Sequence, residues 1–129
     1  YPGVAALVGR LRGRAALAVV SGTWRENVSA VLEAADLADA FELIVGKEDV
    51  TAVKPDPEAY RLALKRLRVK VSEAVALEDS TVGLESARRA GIRAVAVGHR
   101  RPRGSWCGEH PFLADLGDTG AVLAALGFD

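Results

Sequence analysis

Four apolar runs of strand length dominate this chain: Ala15-Ala16-Leu17-Ala18-Val19-Val20, Leu43-Ile44-Val45, Val75-Ala76-Leu77 and Ile92-Arg93-Ala94-Val95-Ala96-Val97. The first three are unbroken, and the fourth carries a single arginine. A strand with one wet face alternates apolar and polar residues, so runs of this kind suit strands buried on both faces, as in a parallel sheet. Between them the apolar residues fall at helical spacing. Val4, Leu7, Val8 and Leu11 mark one helix, and Val28, Val31 and Leu32 mark a second over Glu26 to Ala35. Tyr60, Leu62, Ala63, Leu64 and Leu67 mark a third, to about Arg68, and Leu84 to Ala90 a fourth. Strands alternating with helices of this length predict an α/β fold: a Rossmann-like parallel sheet with flanking helices and right-handed crossovers.

Local signals set the boundaries. Tyr1-Pro2-Gly3 is a turn signal, and Gly13 ends the first helix. Asp36 to Phe41 reads as a short irregular passage. Asp56 is expected as an N-cap with Pro57 as the first helical residue. Gly91 is the expected C′ glycine of the fourth helix. Residues 99–112 read as an irregular loop rich in arginine, glycine and proline, and 119–126 as a terminal helix with Val122, Leu123 and Leu126 apolar. No internal repeat or linker divides the chain, so 1–129 is read as a single domain.

Composition narrows the function classes. Half of the 129 residues are hydrophobic, which fits a packed core rather than disorder. Lysine plus arginine equals aspartate plus glutamate, 17 each. That balance leaves no electrostatic footprint for nucleic acid or anionic lipid. One cysteine allows no internal disulfide and points to a reducing cytosol. No apolar run approaches the ~20 residues of a membrane span, and no signal peptide opens the chain. The sequence holds no methionine. That fits a processed, trimmed or partial chain, and equally a complete one whose initiator was removed.

The residues able to carry chemistry cluster where strands end. Val75 to Leu77 runs into Glu78-Asp79, then Ser80-Thr81-Val82-Gly83 and a helical pattern. In open parallel sheets ligands bind at the carboxyl ends of strands. Two adjacent acids there are costly without positive charge between them, and a hard divalent cation such as Mg²⁺ would serve. Ser21, after the first strand, offers a hydroxyl at a strand-to-helix turn. Gly22 permits close backbone approach, and the helix that follows presents free N–H groups to an anion. Lys54, held before Pro55, is a fixed positive charge for a phosphate. Each signal alone has a plainer explanation. Ser-Gly after a strand is often only a turn, Lys-Pro only solvated surface, and paired acids only caps that complement a helix dipole. What sharpens the reading is hydroxyl, lysine and acid pair in that order at successive strand ends.

These strings carry a resemblance. Val19-Val20-Ser21-Gly22-Thr23, Val53-Lys54-Pro55-Asp56-Pro57-Glu58 and Leu77-Glu78-Asp79-Ser80-Thr81-Val82-Gly83 resemble the second, third and fourth motifs of the haloacid dehalogenase-like (HAD) hydrolases. The branch is the one with β-phosphoglucomutase and phosphoglycolate phosphatase, and the resemblance covers roughly Tyr1 to Gly98. It implies that Ser21 and Gly22 bind the transferring phosphoryl group. Lys54 would neutralise its charge and orient the nucleophile, and Asp79 would bind Mg²⁺, with Glu78 binding it directly or through water. Phosphoryl transfer needs little beyond positioning and electrostatic stabilisation, but it needs a nucleophile. The family's first motif is an Asp-x-Asp ending its first strand, and no aspartate here forms that pattern. The resemblance therefore implies the C-terminal core portion of a Mg²⁺-dependent phosphatase or phosphomutase acting on a small phosphorylated metabolite. The central first strand and the cap domain would be absent from this chain. Activity and Mg²⁺ binding by the chain alone are expected to be weak or absent. A non-catalytic domain of the same fold, working by binding or assembly, is the alternative. A flavodoxin-like or receiver domain ranks lower, because Ser21 stands where a receiver wants its acids.

Without a central strand, the strands ending at Ser21 and Leu77 would each show an open edge, an association hazard. The expectation is that they pair with each other, or that a strand is recruited by self-association or complementation. Three weaker features complete the reading. His99, Cys107, Glu109 and His110 fit no standard zinc spacing. Arg100, Arg101 and Arg103 suit a solvated loop. Arg25, beside Trp24, is within reach of a substrate phosphate or is simply a surface arginine.

Overall fold

A computed structural model describes residues 2–128; the part of the opening turn that falls on Tyr1 lies outside them. Five helices and five strands alternate along most of the chain: α1 (Val4–Leu11), β1 (Ala18–Val20), α2 (Arg25–Ala34), β2 (Leu43–Val45), α3 (Glu58–Leu67), β3 (Val75–Glu78), α4 (Thr81–Arg89), β4 (Arg93–Val97), β5 (Phe112–Leu113) and α5 (Thr119–Leu126). One-turn 3₁₀ segments at Ala38–Ala40, Lys47–Asp49, Val71–Glu73 and Ser105–Cys107 fill the connections.

All strand pairs are parallel, in two separate sheets. β1 pairs with β2, Val19 opposite Ile44. β3 pairs with β4, Leu77 opposite Val95, and β4 pairs with β5, Val97 opposite Leu113. β4 shows why its run is nearly all apolar. Ala94 and Ala96 face a core with Tyr60, Leu84, Ala87 and Cys107. Val95 and Val97 face the opposite one, with Leu7, Leu11, Val122 and Leu123. Successive side chains of a strand point to opposite faces, so a strand covered by helices on both sides has no polar position. A third, smaller cluster joins Val45 to Ala59 and Ala63 of α3. Helix α2 buries none of its side chains.

Among the described residues β1 and β3 do not pair, so the expected direct closure of the sheet is not what the chain adopts. Between them lies a cavity of about 760 Å³, its apolar wall including Leu7, Leu11, Leu17, Val19, Val75 and Leu77. The backbone shows which groups of β1 face it. Ser21 N–H donates to Val45 O, and Leu17 O accepts from Glu42 N–H, so residues 17, 19 and 21 point toward β2. By the alternation of a parallel ladder, Ala18 and Val20 point into the cavity.

The element boundaries differ from the sequence reading in three places. β1 begins only at Ala18, because the ladder with β2 starts there. Helix α3 begins at Glu58, with Pro57 in the N-cap position, yet Asp56 still caps: its Oδ1 accepts from Glu58 N–H at 2.9 Å. The loop read as irregular over 99–112 ends in a strand, since Phe112 opens β5. Ser80 caps α4, its hydroxyl accepting from Gly83 N–H at 3.1 Å. Gly91 follows that helix at φ +83°, the left-handed C′ conformation. Among the described residues no helix is long and apolar enough to cross a membrane.

Candidate active site

The sequence places Ser21, Lys54 and Glu78-Asp79 on three connections, and the structure joins two of them through one ammonium. Lys54 Nζ donates to Val20 O, the last carbonyl of β1, at 3.0 Å. It also donates to Glu78 Oε1, at the end of β3, at 2.6 Å. The lysine thus spans the carboxyl ends of the two strands that flank the cavity. Its side chain is 16 % exposed and that of Glu78 is 8 % exposed, so the pair sits largely out of water, where charge interactions are least screened.

The loop that carries Lys54 is held from α3. Glu58, in the first turn, accepts from Thr51 N–H and Ala52 N–H, both at 2.9 Å. The Lys54–Pro55 peptide is cis. Beyond it, the buried Ser86 hydroxyl of α4 donates to Asp56 O at 2.7 Å. Tyr60, also on α3, donates its hydroxyl to the same Glu78 Oε1 that receives Lys54. Its ring centroid lies 5.2 Å from Lys54 Nζ, within cation–π range. Burial, followed by the negative charge of Glu78, pushes the Tyr60 phenol far above its ordinary ionisation range.

Ser21 follows β1 directly, and its hydroxyl accepts from Thr23 N–H at 3.1 Å, closing a local turn. The space beside Gly22 is open, for a Cβ there would meet nothing within 4 Å. Asp79 is exposed at the end of β3. With Leu77, Glu78 and Val97 it lines a shallow hollow of about 250 Å³. As a donor set for a hard divalent ion this is partial. Asp79 offers an exposed carboxylate, whereas Glu78 Oε1 is already taken by Lys54 and Tyr60. Among the described residues no group of three or more acid, histidine or cysteine side chains gathers for a metal. Mg²⁺ ordinarily combines one or two carboxylates with waters and substrate phosphate, and Asp79 fits that role.

The remaining sequence candidates serve structure. Arg25 donates to Asp49 at 2.8 Å, and Asp49 also accepts from Gly46 N–H at 2.8 Å and lies 3.6 Å from Arg66. The Gly46 amide, with the two guanidiniums, holds that carboxyl below the usual range. Trp24 is half exposed with the Lys47 ammonium over its ring. Arg103 binds His110 O and Gly108 O, and Arg101 stacks on Trp106 at 4.4 Å. Cys107 is buried, its thiol donating to Gly104 O. Asp115 also follows a strand, but its Oδ1 accepts from Gly117 N–H in a turn. Glu58 and Tyr60 are the site residues that sequence reasoning missed. A tyrosine in place of phenylalanine at a core position was the available signal, since a buried hydroxyl needs a partner.

A parallel α/β core with hydroxyl, lysine and acid pair at successive strand ends defines a phosphate-handling class of protein, and the comparisons agree. The family model for haloacid dehalogenase-like hydrolases matches residues 1–97. Protein CbbY of Rhodobacter capsulatus is 38 % identical over 107 residues, covering 80 % of this chain and 47 % of that protein. The phosphorylated carbohydrates phosphatase of Thermotoga maritima is 38 % identical over 82 residues, covering 64 % of this chain and 38 % of that protein. The crystal structure of CbbY from Rhodobacter sphaeroides in complex with phosphate superposes with a TM-score of 0.85 at 34 % identity, over 98 % of this chain and 58 % of that one. The chain belongs to the haloacid dehalogenase-like hydrolases, in the branch of phosphatases and β-phosphoglucomutase-like proteins. It spans less than half the length of these two curated relatives.

Proposed function

We propose that these 129 residues are the C-terminal core portion of a Mg²⁺-dependent phosphatase or phosphomutase. Its substrate would be a small phosphorylated metabolite, and the phosphoryl group would pass to an aspartate outside this sequence. One observation carries the reading: Lys54 Nζ is bonded at once to Val20 O and Glu78 Oε1. That places a cation between two strand ends, one residue from Ser21 and one from Asp79. Anion charge developing there during phosphoryl transfer would meet a preorganised counter-charge at no reorganisation cost. Ser21 and the Gly22 backbone would bind the phosphoryl oxygens, and Asp79 would hold the ion. Mg²⁺ would supply further neutralisation of the phosphate oxygens.

The cavity supports the same reading. Its apolar wall and the inward-facing backbone of Ala18 and Val20 suit an extended segment lying between β1 and β3. Such a segment would end beside Lys54, where the nucleophile is needed. With a relative acting on phosphorylated carbohydrates, sugar phosphates are the substrate class to try first.

The test uses the chain as it stands. Hydrolysis of p-nitrophenyl phosphate with Mg²⁺ should be absent, while inorganic phosphate should bind weakly and lose most of that affinity in Lys54→Ala. Phosphate binding indifferent to Lys54→Ala would remove the basis for the reading. Phosphatase activity from these residues that vanished in Lys54→Ala would overturn the external nucleophile.

A further inference from the structure

The lysine at the centre of the site does not hold its own position. Its ammonium rests on Glu78 Oε1, and that oxygen is shared with a second donor, the hydroxyl of Tyr60. Tyr60 is 7 % exposed and packs among Ala76, Leu84, Ala87 and Ile92. Its ring is therefore fixed by the core rather than by the site. The same ring lies 5.2 Å from Lys54 Nζ, so it forms a wall for the ammonium as well as an anchor for its counter-ion. On the other side of Glu78, the backbone of Gly83 closes against the carboxylate: a Cβ there would come within 2.0 Å of Oε2. Glu78 is thus confined between the first turn of α4 and a phenol of α3, and it presents one oxygen to the lysine.

We propose that Tyr60 is a positioning residue that sets where the Lys54 ammonium stands, acting through Glu78. A phenylalanine would fill the same volume and keep the ring wall, but Glu78 Oε1 would lose one of its two donors. A carboxylate this buried is costly when under-satisfied. It would relieve the deficit by drawing the ammonium further in, away from Val20 O, or by turning toward water. Either movement shifts Lys54. That this matters for phosphate rests on the function proposed above; the placement of Lys54 does not.

The chain has four lysines, so lysine labelled with ¹³C at Cε gives a readable NMR spectrum, and Lys54→Ala assigns the Lys54 signal. In Tyr60→Phe that signal should move while those of Lys47, Lys65 and Lys70 stay. Affinity for inorganic phosphate should drop about tenfold, the effect of losing one hydrogen bond to a charged group. Glu78→Gln, which keeps the shape and leaves Tyr60 in place, should displace the Lys54 signal as well, and serves if Tyr60→Phe folds poorly. A Lys54 signal unmoved in the folded variant overturns the inference, even if stability falls, because a purely packing role predicts that result. A moved signal with phosphate affinity unchanged upholds the positioning and overturns instead the reading of Lys54 as the phosphate cation.

Discussion

Gly83 and Glu78 are in such close contact that no side chain fits between them. A Cβ built on Gly83 falls 2.0 Å from Glu78 Oε2 and 2.3 Å from its Cδ. Gly83 lies inside α4, where alanine ordinarily stabilises by about 0.5–1 kcal/mol. Here the sign reverses. The carboxylate cannot swing away without leaving Lys54 and Tyr60. Gly83→Ala is expected to destabilise by about 2 kcal/mol, the usual cost of overpacking, as measured by urea unfolding. In a Glu78→Ala background the same change should be near neutral or stabilising. Additive effects across that double-mutant cycle would mean that the two residues do not interact.

Tyr60 provides the pH dependence. Its phenol is held protonated, first by burial and then by the charge of Glu78. The folded pKa lies above the unfolded value of about 10. The folded state therefore keeps a proton that the unfolded state releases. Stability is unaffected by this group below pH ~10 and falls as pH rises above it. Chemical denaturation between pH 9 and 11 should show this decline, and Tyr60→Phe should flatten it. A phenolate absorbance from Tyr60 in the folded protein near pH 10 would contradict the buried hydrogen bond.

Asp49 acts in the opposite direction. Its carboxyl is held low by the Gly46 amide, with Arg25 and Arg66 contributing. This contribution is present above the unfolded value of about 3.9 and is lost as pH falls through the lower folded value. Asp49→Asn should cost about 1–2 kcal/mol at neutral pH through weakened hydrogen bonds. The variant and the parent should converge below pH 3. A constant difference across that range would show that the carboxylate charge is not what matters.

Much of the architecture was legible because strong local rules act at particular residues. The run Ala94-Val95-Ala96-Val97 has no polar position, so a strand covered on both faces was its natural reading. Ser80 and Gly91 stand at the two ends of α4, with cap chemistry that sequence alone displays. Other features have no local signal. β5 is two residues at the end of a loop of arginine, glycine and proline, and it is a strand only because β4 leaves an edge for it. Arg25 reads as a free cation until the fold brings Asp49 to it from 24 residues away. In the site, the order of hydroxyl, lysine and acids was visible, whereas the division of labour between the acids was not. Glu78 and Asp79 are equivalent as letters. Strand alternation and the packing of α3 and α4 bury the first carboxylate with the lysine and leave the second residue exposed.

The bond from Lys54 to Val20 O also fixes a register. Of the β1 groups facing the cavity, the Val20 carbonyl is already satisfied by the ammonium. Any segment that lies along this edge can pair with Val20 N–H and with Ala18, but it cannot extend its ladder past that carbonyl without displacing the lysine. Side chains on a strand alternate, so a slip of one residue would exchange every inward position for an outward one. Lys54 thus marks the end of the ladder, and whatever fills the gap is aligned by a charged stop before its own side chains are read.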